Sequence, residues 1–241
     1  AQQKRIAGPA KKNVTKTVLN VTNMDGTTTT ASDLVLNILG PGISYSNISY
    51  TGVSASMASA GLFSGGLLAG LGFDSGLMLS SGFVNNAVGP NSSGSITGNL
   101  SLGGDVDLNG LITGYTTYDA TVLEFDFTLP ATEIYIEFIF GSDEYNEYVN
   151  SSYNDVFGFF LDGVNIALVP GTTTPVSINN VNNGSHASYY YDNTTGIQNI
   201  ESDGFTTTLS GTFPLNSNPT HHIKLAIADA GDHSLDSWVY I

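Results

Sequence analysis

The stretch FGSDEYNEYVNSSYNDVFGFFLDG, residues 140–163, sets Asp143, Glu144, Glu147 and Asp155 beside a strongly apolar run. Two further acid groups occur, Asp105 and Asp107 with Asn109 in GGDVDLNG, and Asp229, Asp232 and Asp236 in ADAGDHSLDSW. Hard cations need such residues, because calcium takes about six to eight oxygen ligands from carboxylates, amides and backbone carbonyls. Acids from two loops at one end of a β-sandwich can share one ion. The expected calcium set is therefore Glu144, Asp155, Asp229, Asp232 and Asp236, with Asp143, Asp105 and Asp107 as further candidates. The Asp-x-Asp-x-Asn spacing at 105–109 opens like a calcium loop, but the Gly and distal Glu of an EF-hand do not follow. The competing reading makes all these acids solvated turn and capping residues.

Other chemistries are served less well. A glycosidase needs two acids flanking a sugar bond, and any acid-rich chain supplies candidates without singling out a pair. There is no Gly-x-Ser-x-Gly elbow, and His186, His221, His222 and His233 stand in no metal-binding or triad spacing. No cysteine is present, which excludes thiolate metal sites, cysteine nucleophiles and a disulfide framework. GGLLAGLGFDSG lacks the glycine spacing of a phosphate loop. Tyr189, Tyr190 and Tyr191 in HASYYYDN are the aromatics best placed to stack on a sugar or enter an interface.

Charge is divided along the chain. Lys4, Arg5, Lys11, Lys12 and Lys16 precede the first acid, Asp25, and carry +5. The remainder holds one lysine against all 21 acids, a net of −20. A basic leading arm on an acidic body is either a solvated tail or a segment that docks on a neighbouring copy. Such a contact joins two different patches, and heterologous contacts that do not close give filaments. The arm lacks interleaved aromatics and the body repels phosphate, so nucleic acid is not an expected partner.

NVTKTVLNVTN, residues 13–23, alternates with Val14, Lys16, Val18 and Asn20 on one side and Thr15, Thr17, Leu19 and Val21 on the other. That is a strand. It completes its own sheet or is donated to another copy's sheet. For donation, the assembly residues are Val14, Lys16, Val18, Leu19 and Val21.

The positioning elements read as β. Leu123, Phe125, Phe127 and Leu129 share one face of VLEFDFTL, and Ile134, Ile136, Phe138 and Phe140 one face of EIYIEFIF. Residues 34–53 read as strands broken at Gly40-Pro41-Gly42, residues 54–70 admit a short helix, and 85–118 read as a long polar, Gly-rich stretch. DVFGFFLDG, NIALVPG, TPVSINNV, HHIKLAIAD and SWVYI follow as strands. The fold expected is all-β, a β-sandwich of jelly-roll type with a small helical insertion and an extended N-terminal strand. The division expected is an arm over residues 1–24 and one body over 25–241.

No run of about 18 apolar residues exists to span a membrane. The AQQ start reads as the residue after a small-residue cleavage site, hence a mature exported chain. Eight Asn-x-Ser/Thr sequons, at Asn13, Asn20, Asn47, Asn91, Asn99, Asn150, Asn183 and Asn193, permit glycosylation.

FGSDEYNEYVNSSYNDVFGFFLDGVNIALVPGTTTPVSINNVN resembles the choice-of-anchor L domain. So do LVLNILGPGISYSNISYTG, GLMLSSG, GDVDLNGL, YDATVLEFDF and IKLAIADAGDHSLDSWVYI, a likeness covering about residues 33–241. The resemblance implies an exported prokaryotic surface protein, with no activity established for the domain. The function expected is a non-enzymatic surface protein that self-assembles into a filament or matrix of copies of itself by strand donation. The alternative is a calcium-dependent adhesin or a module binding surface glycans.

Overall fold

A computed structural model describes residues 19–241. Two antiparallel sheets face each other. The first, of eight strands, runs β1 (Asn20–Asn23), β3 (Ala60–Ser64), β4 (Ser75–Ser80), β14 (Ser237–Tyr240), β6 (Glu133–Ser142), β11 (Gly204–Thr206) and β10 (Tyr190–Asp192). Its eighth strand, β12 (Leu209–Pro214), also pairs with β6. The second sheet runs β2 (Ser44–Thr51), β5 (Thr117–Thr128), β13 (His221–Ala230), β7 (Val156–Leu161) and β8 (Val164–Asn165), with β9 (Val176–Ser177) on β7.

Period-two alternation explains the core between the sheets. Leu123, Phe125 and Phe127 of β5, with Phe157 and Phe159 of β7 from the same sheet, share one core with Ile136, Phe138 and Phe140 of β6. The outer faces are covered too. Trp238, Tyr240, Met78 and Ile139 lie under Val84, Ala87 and Ile200, and Val122, Phe160 and Ala226 lie under helix α3 (Val106–Leu111). Covered outer faces explain why Val122 is buried although its strand neighbours face the other way. Among the described residues no helix is long and apolar enough to cross a membrane.

Two segments depart from the expected elements. Residues 34–39 are not strand but the body of helix α1 (Ala31–Leu39). Thr30 and Asp33 cap it reciprocally: Asp33 Oδ2 accepts the Thr30 N–H at 2.7 Å, and Thr30 Oγ1 accepts the Asp33 N–H. That capping box starts the helix, and Leu34 and Val35 bury its inner side against the sandwich. The 85–118 stretch, read as irregular, holds α3, capped by the Asp105 carboxylate. The helix allowed for within 54–70 is only the single turn α2 (Gly66–Ala69), because β3 occupies Ala60–Ser64.

The leading strand is also corrected in part. Asn20–Asn23 pair antiparallel with β3 of the same chain, Asn20 opposite Ser64 and Asn23 opposite Gly61. Leu19 is buried on the outer face of the first sheet, and Val21 packs beside it. Residues 19–23 thus complete their own sheet, because pairing and apolar burial are both satisfied within the chain. Val14, Lys16 and Val18 lie outside the described residues.

Candidate functional site

The acids gather at the end of the sandwich where β6 finishes and β13 passes into β14. Asp143, Glu144, Asp155, Asp229 and Asp236 are there, and all five are buried. Asp119, Glu201 and Asp203, which the sequence reading did not single out, are buried with them. Their oxygens are used to hold loops. Asp143 Oδ2 accepts the Ile96 N–H at 2.8 Å, and Asp236 Oδ1 accepts that of Gly98 at 2.6 Å. Asp119 takes the N–H groups of Leu100 and Leu102, at 3.1 and 2.7 Å. Asp155 takes the Ala230 N–H at 2.9 Å and the Ser237 hydroxyl at 2.7 Å. The polar segment 92–105 has few apolar side chains of its own. Carboxylates aimed at its backbone do the pinning that a hydrophobic core does elsewhere. Gly82 belongs to this packing, since a β-carbon there would overlap the Asp236 carboxyl group.

Burial without cations raises the proton affinity of these groups. Burial and the nearby Asp203 push Asp143 well above the usual carboxylate range, against the pull of the Ile96 N–H. Burial, with Asp155 and Asp236 close by, does the same to Asp229. Asp236 is pushed up to about 6 by burial, despite the N–H of Gly98 and the amide of Asn86. His233 Nδ1 lies 3.1 Å from Asp119 Oδ1, within ion-pair distance but not aligned for a hydrogen bond.

A calcium ion would need several of these oxygens converging on one point. Among the described residues no three His, Asp or Glu side chains do so in a way that could hold a metal. Asp232 is only half-buried, with Oδ1 accepting the Ser234 N–H. Asp105 and Asp107 are elsewhere, outside the second sheet, where both take Lys224 Nζ at 2.7 and 2.6 Å. Burial pushes Lys224 down, but the two carboxylates outweigh it and raise its pKa. Of the expected ligands, Asp143, Asp155, Asp232 and Asp236 accept backbone N–H groups, and Asp105 and Asp107 share one lysine.

The sequons divide by burial. Asn20, Asn47, Asn99, Asn150 and Asn183 are exposed, and Asn13 lies outside the described residues. Asn91 and Asn193 are buried, and their amide N–H groups are taken, Asn91 by Asn193 O, Ser202 O and Asp203, Asn193 by Ile200 O and Ser202 O. The fold leaves no room for a glycan at either. Of the three tyrosines, Tyr189 ends a short 3-10 turn (Ala187–Tyr189). Tyr190 and Tyr191 form the edge strand β10, with Tyr190 Oη donating to Asn146 and Tyr191 against Phe205. A separate cleft of about 480 Å³ is lined by Gly114, Tyr115, Tyr118, Ser151, Ser152 and Gly231.

At the opposite end, β6 has an open edge. β14 accompanies it only from Ser142 to Ile139. β12 flanks Phe138 to Glu133 on the other side. Beside Glu133–Glu137, on the β14 side, no strand is paired among the described residues. Phe140 gives its N–H to Thr206 on the β11 side. Two-residue alternation then turns the N–H and C=O groups of Glu133, Tyr135 and Glu137 towards the open side. The groove there measures about 240 Å³, bounded by Ile38, Ser75, Gly76 and Ile241 and floored by Ile136 and Phe159. It adjoins an apolar cavity of about 230 Å³ lined by Leu39, Phe127, Ile134 and Ile223.

The family model for the choice-of-anchor L domain matches residues 20–241. The chain belongs to that family. No curated protein and no solved structure matches it. Membership makes this choice-of-anchor L domain a surface-associated, exported protein. The matched segment includes β1, so the family domain starts where the described residues acquire a paired strand.

Proposed function

We propose that this choice-of-anchor L domain is a non-enzymatic surface protein that self-associates, its basic N-terminal arm docking on the acidic body of another copy. The carrying observation is the partition of charge: +5 ahead of Asp25, and one lysine against 21 acids from Asp25 onward. Lys224 is already committed to Asp105 and Asp107, so the body offers no other cation to its acids. Opposite potentials on one molecule favour contact between unlike patches of two molecules and weaken with salt. The family supports surface location, and the carboxylates at the acid end hold backbone rather than face a substrate cleft. Light scattering and electron microscopy of the full chain, with and without residues 1–18, test it. Association that needs the arm and fades with salt is expected; monomers of both forms at every concentration would end the proposal.

A second reading is favoured by the cleft at Tyr115 and Tyr118. Two glycines keep side chains out of it, and tyrosine rings with backbone polar groups suit a neutral sugar. Binding of an oligosaccharide by the chain lacking residues 1–18, lost in Tyr118→Ala, would support an adhesin.

A further inference from the structure

Where the arm docks is readable from the open edge of β6. Three observations converge there. The backbone groups of Glu133, Tyr135 and Glu137 face an unpaired side with about five residue positions, between Ile241 and the end of the sandwich. The groove beneath is apolar, walled by Ile38, Ile136 and Phe159. Two acids, Glu133 and Glu137, rim it. An extended chain meets all of this at once, because a strand satisfies edge groups on one side and alternate side chains fill the groove.

Topology then selects the occupant. Asn20 stands opposite Ser64, and Ser64 opposite Ser75, which borders the groove. The leading chain therefore leaves the body at the same end as the open edge, three strand positions to the side. At about 4.8 Å per position that is roughly 14 Å. Leu19 is fixed beside β1, so Val18 is about 4 Å from it and cannot enter the groove of its own chain. Residues that have the reach, before about position 13, contain Gly8-Pro9, which breaks a strand. Residues 13–23 alternate without a turn residue. Six extended residues reach about 20 Å, far enough to lie against a second body.

Resting on the self-association reading, we infer that residues 13–18 of one copy pair antiparallel with Glu133–Glu137 of a second copy, and that the exchange is reciprocal. The direction is fixed. Val18 must lie at the mouth because Leu19 belongs to the donor's sheet, so the donated segment runs opposite to β6, as β14 does. Lys16 then falls within side-chain reach of the acids at the rim, and Val14 and Val18 are the apolar groups available to the groove. Arm exit and acceptor groove share one end, so each body presents its groove to the other's arm. That contact is isologous and closes on two copies. The product is a two-fold dimer with one strand spanning both sheets, rather than the open filament that a heterologous contact would give.

The chain has no cysteine, so engineered pairs report without background. Thr15→Cys, Lys16→Cys and Thr17→Cys chains are each mixed with Tyr135→Cys chains and oxidised. Tyr135 is exposed at the edge, which makes its substitution safe for the fold. The expected result is a disulfide-linked pair from at least one mixture, on a dimer by native mass spectrometry, absent when Glu137 is also replaced by Pro. Cross-linked pairs within growing filaments would overturn the reciprocal closure. Arm-dependent association with no cross-link in any mixture would overturn the acceptor site while leaving self-association standing. A full chain that is monomeric throughout, or a Thr17→Cys/Tyr135→Cys chain that closes on itself, would overturn the whole inference.

Discussion

The two ends of β6 solve the same problem in opposite ways. At Ser142 the strand runs into a layer where buried carboxylates hold the backbone of the 92–105 segment. At Glu133 it runs out beside an apolar groove, with no strand among the described residues paired on one side. The acid end is closed and polar; the groove end is open and apolar. Buried polar groups must be satisfied locally and are costly to disturb, whereas an unpaired edge costs little in water and becomes useful when a partner arrives. Substitutions at the first end should therefore be read in stability, and at the second in association.

The largest effect belongs to the acid end. Asp119→Ala leaves the Leu100 and Leu102 N–H groups without their acceptor and His233 without its neighbour. A loss of about 2–4 kcal/mol is expected from two buried, charge-assisted bonds, measured by denaturant unfolding. Relief of repulsion on Asp229 works in the other direction. A loss below about 1 kcal/mol would mean that repulsion governs this layer and that the carboxylates do not pin it.

Titration sharpens the same contrast. A carboxyl group with a raised folded pKa binds its proton more tightly in the fold than in the unfolded chain. Its contribution is thus fully present below the unfolded value and is lost as pH rises through the folded one. For Asp236 that window runs from about 4 to about 6, and a rise of about two units costs on the order of 3 kcal/mol once the group ionises. Asp143 and Asp229 act in the same sense at higher pH. Asp126 acts in the opposite sense: bonds from Asn47 and His222 lower its pKa, so its contribution is lost as pH falls below the usual carboxylate range. Melting temperature should peak near pH 5 and fall towards pH 8, with a shallower fall in Asp236→Asn. A melting temperature that climbs steadily from pH 5 to 8 would show the acid layer to be neutralised by something other than protons.

The sequence made the sandwich legible because β5, β6, β7 and β13 carry strict alternation of large apolar residues. It did not make α1 legible. Leu34, Val35 and Leu36 fit a strand as well as a helix, and the deciding Thr30–Asp33 cap sits in a run of threonines. The acids were visible as residues, but their burial was not. Nothing in DEYNEY or GDHSLD says that the segment 92–105 folds over them and supplies backbone N–H groups. Asp119, Glu201 and Asp203 were missed for the same reason, since each is an isolated acid whose neighbours come from far along the chain. A chain with 21 acids and one lysine from Asp25 onward carried the available signal: some of those acids had to be buried among hydrogen-bond donors.

At the groove end, stability should hardly change. Tyr135→Ser alters an exposed side chain whose hydroxyl donates to the half-buried rim residue Glu137. An effect within about 0.5 kcal/mol on unfolding is expected, and removal of residues 1–18 should likewise leave the melting of the isolated body in place, because Leu19 and β1 remain.

The smallest effect expected is none, and it divides the two ends most cleanly. A chelator added to the purified chain should leave the melting temperature unchanged, since binding stabilises a fold only by the ion it holds and among the described residues no three acids are grouped to hold a metal. The closed end would then be held by protons and backbone N–H groups alone, and the open end by chain pairing. A drop in melting temperature on chelation, restored by calcium, would put an ion inside the acid layer. It would also lower the carboxyl pKa values there, so the fall in stability between pH 5 and 8 should vanish in the same sample. The two measurements must move together, because one buried charge balance sets both.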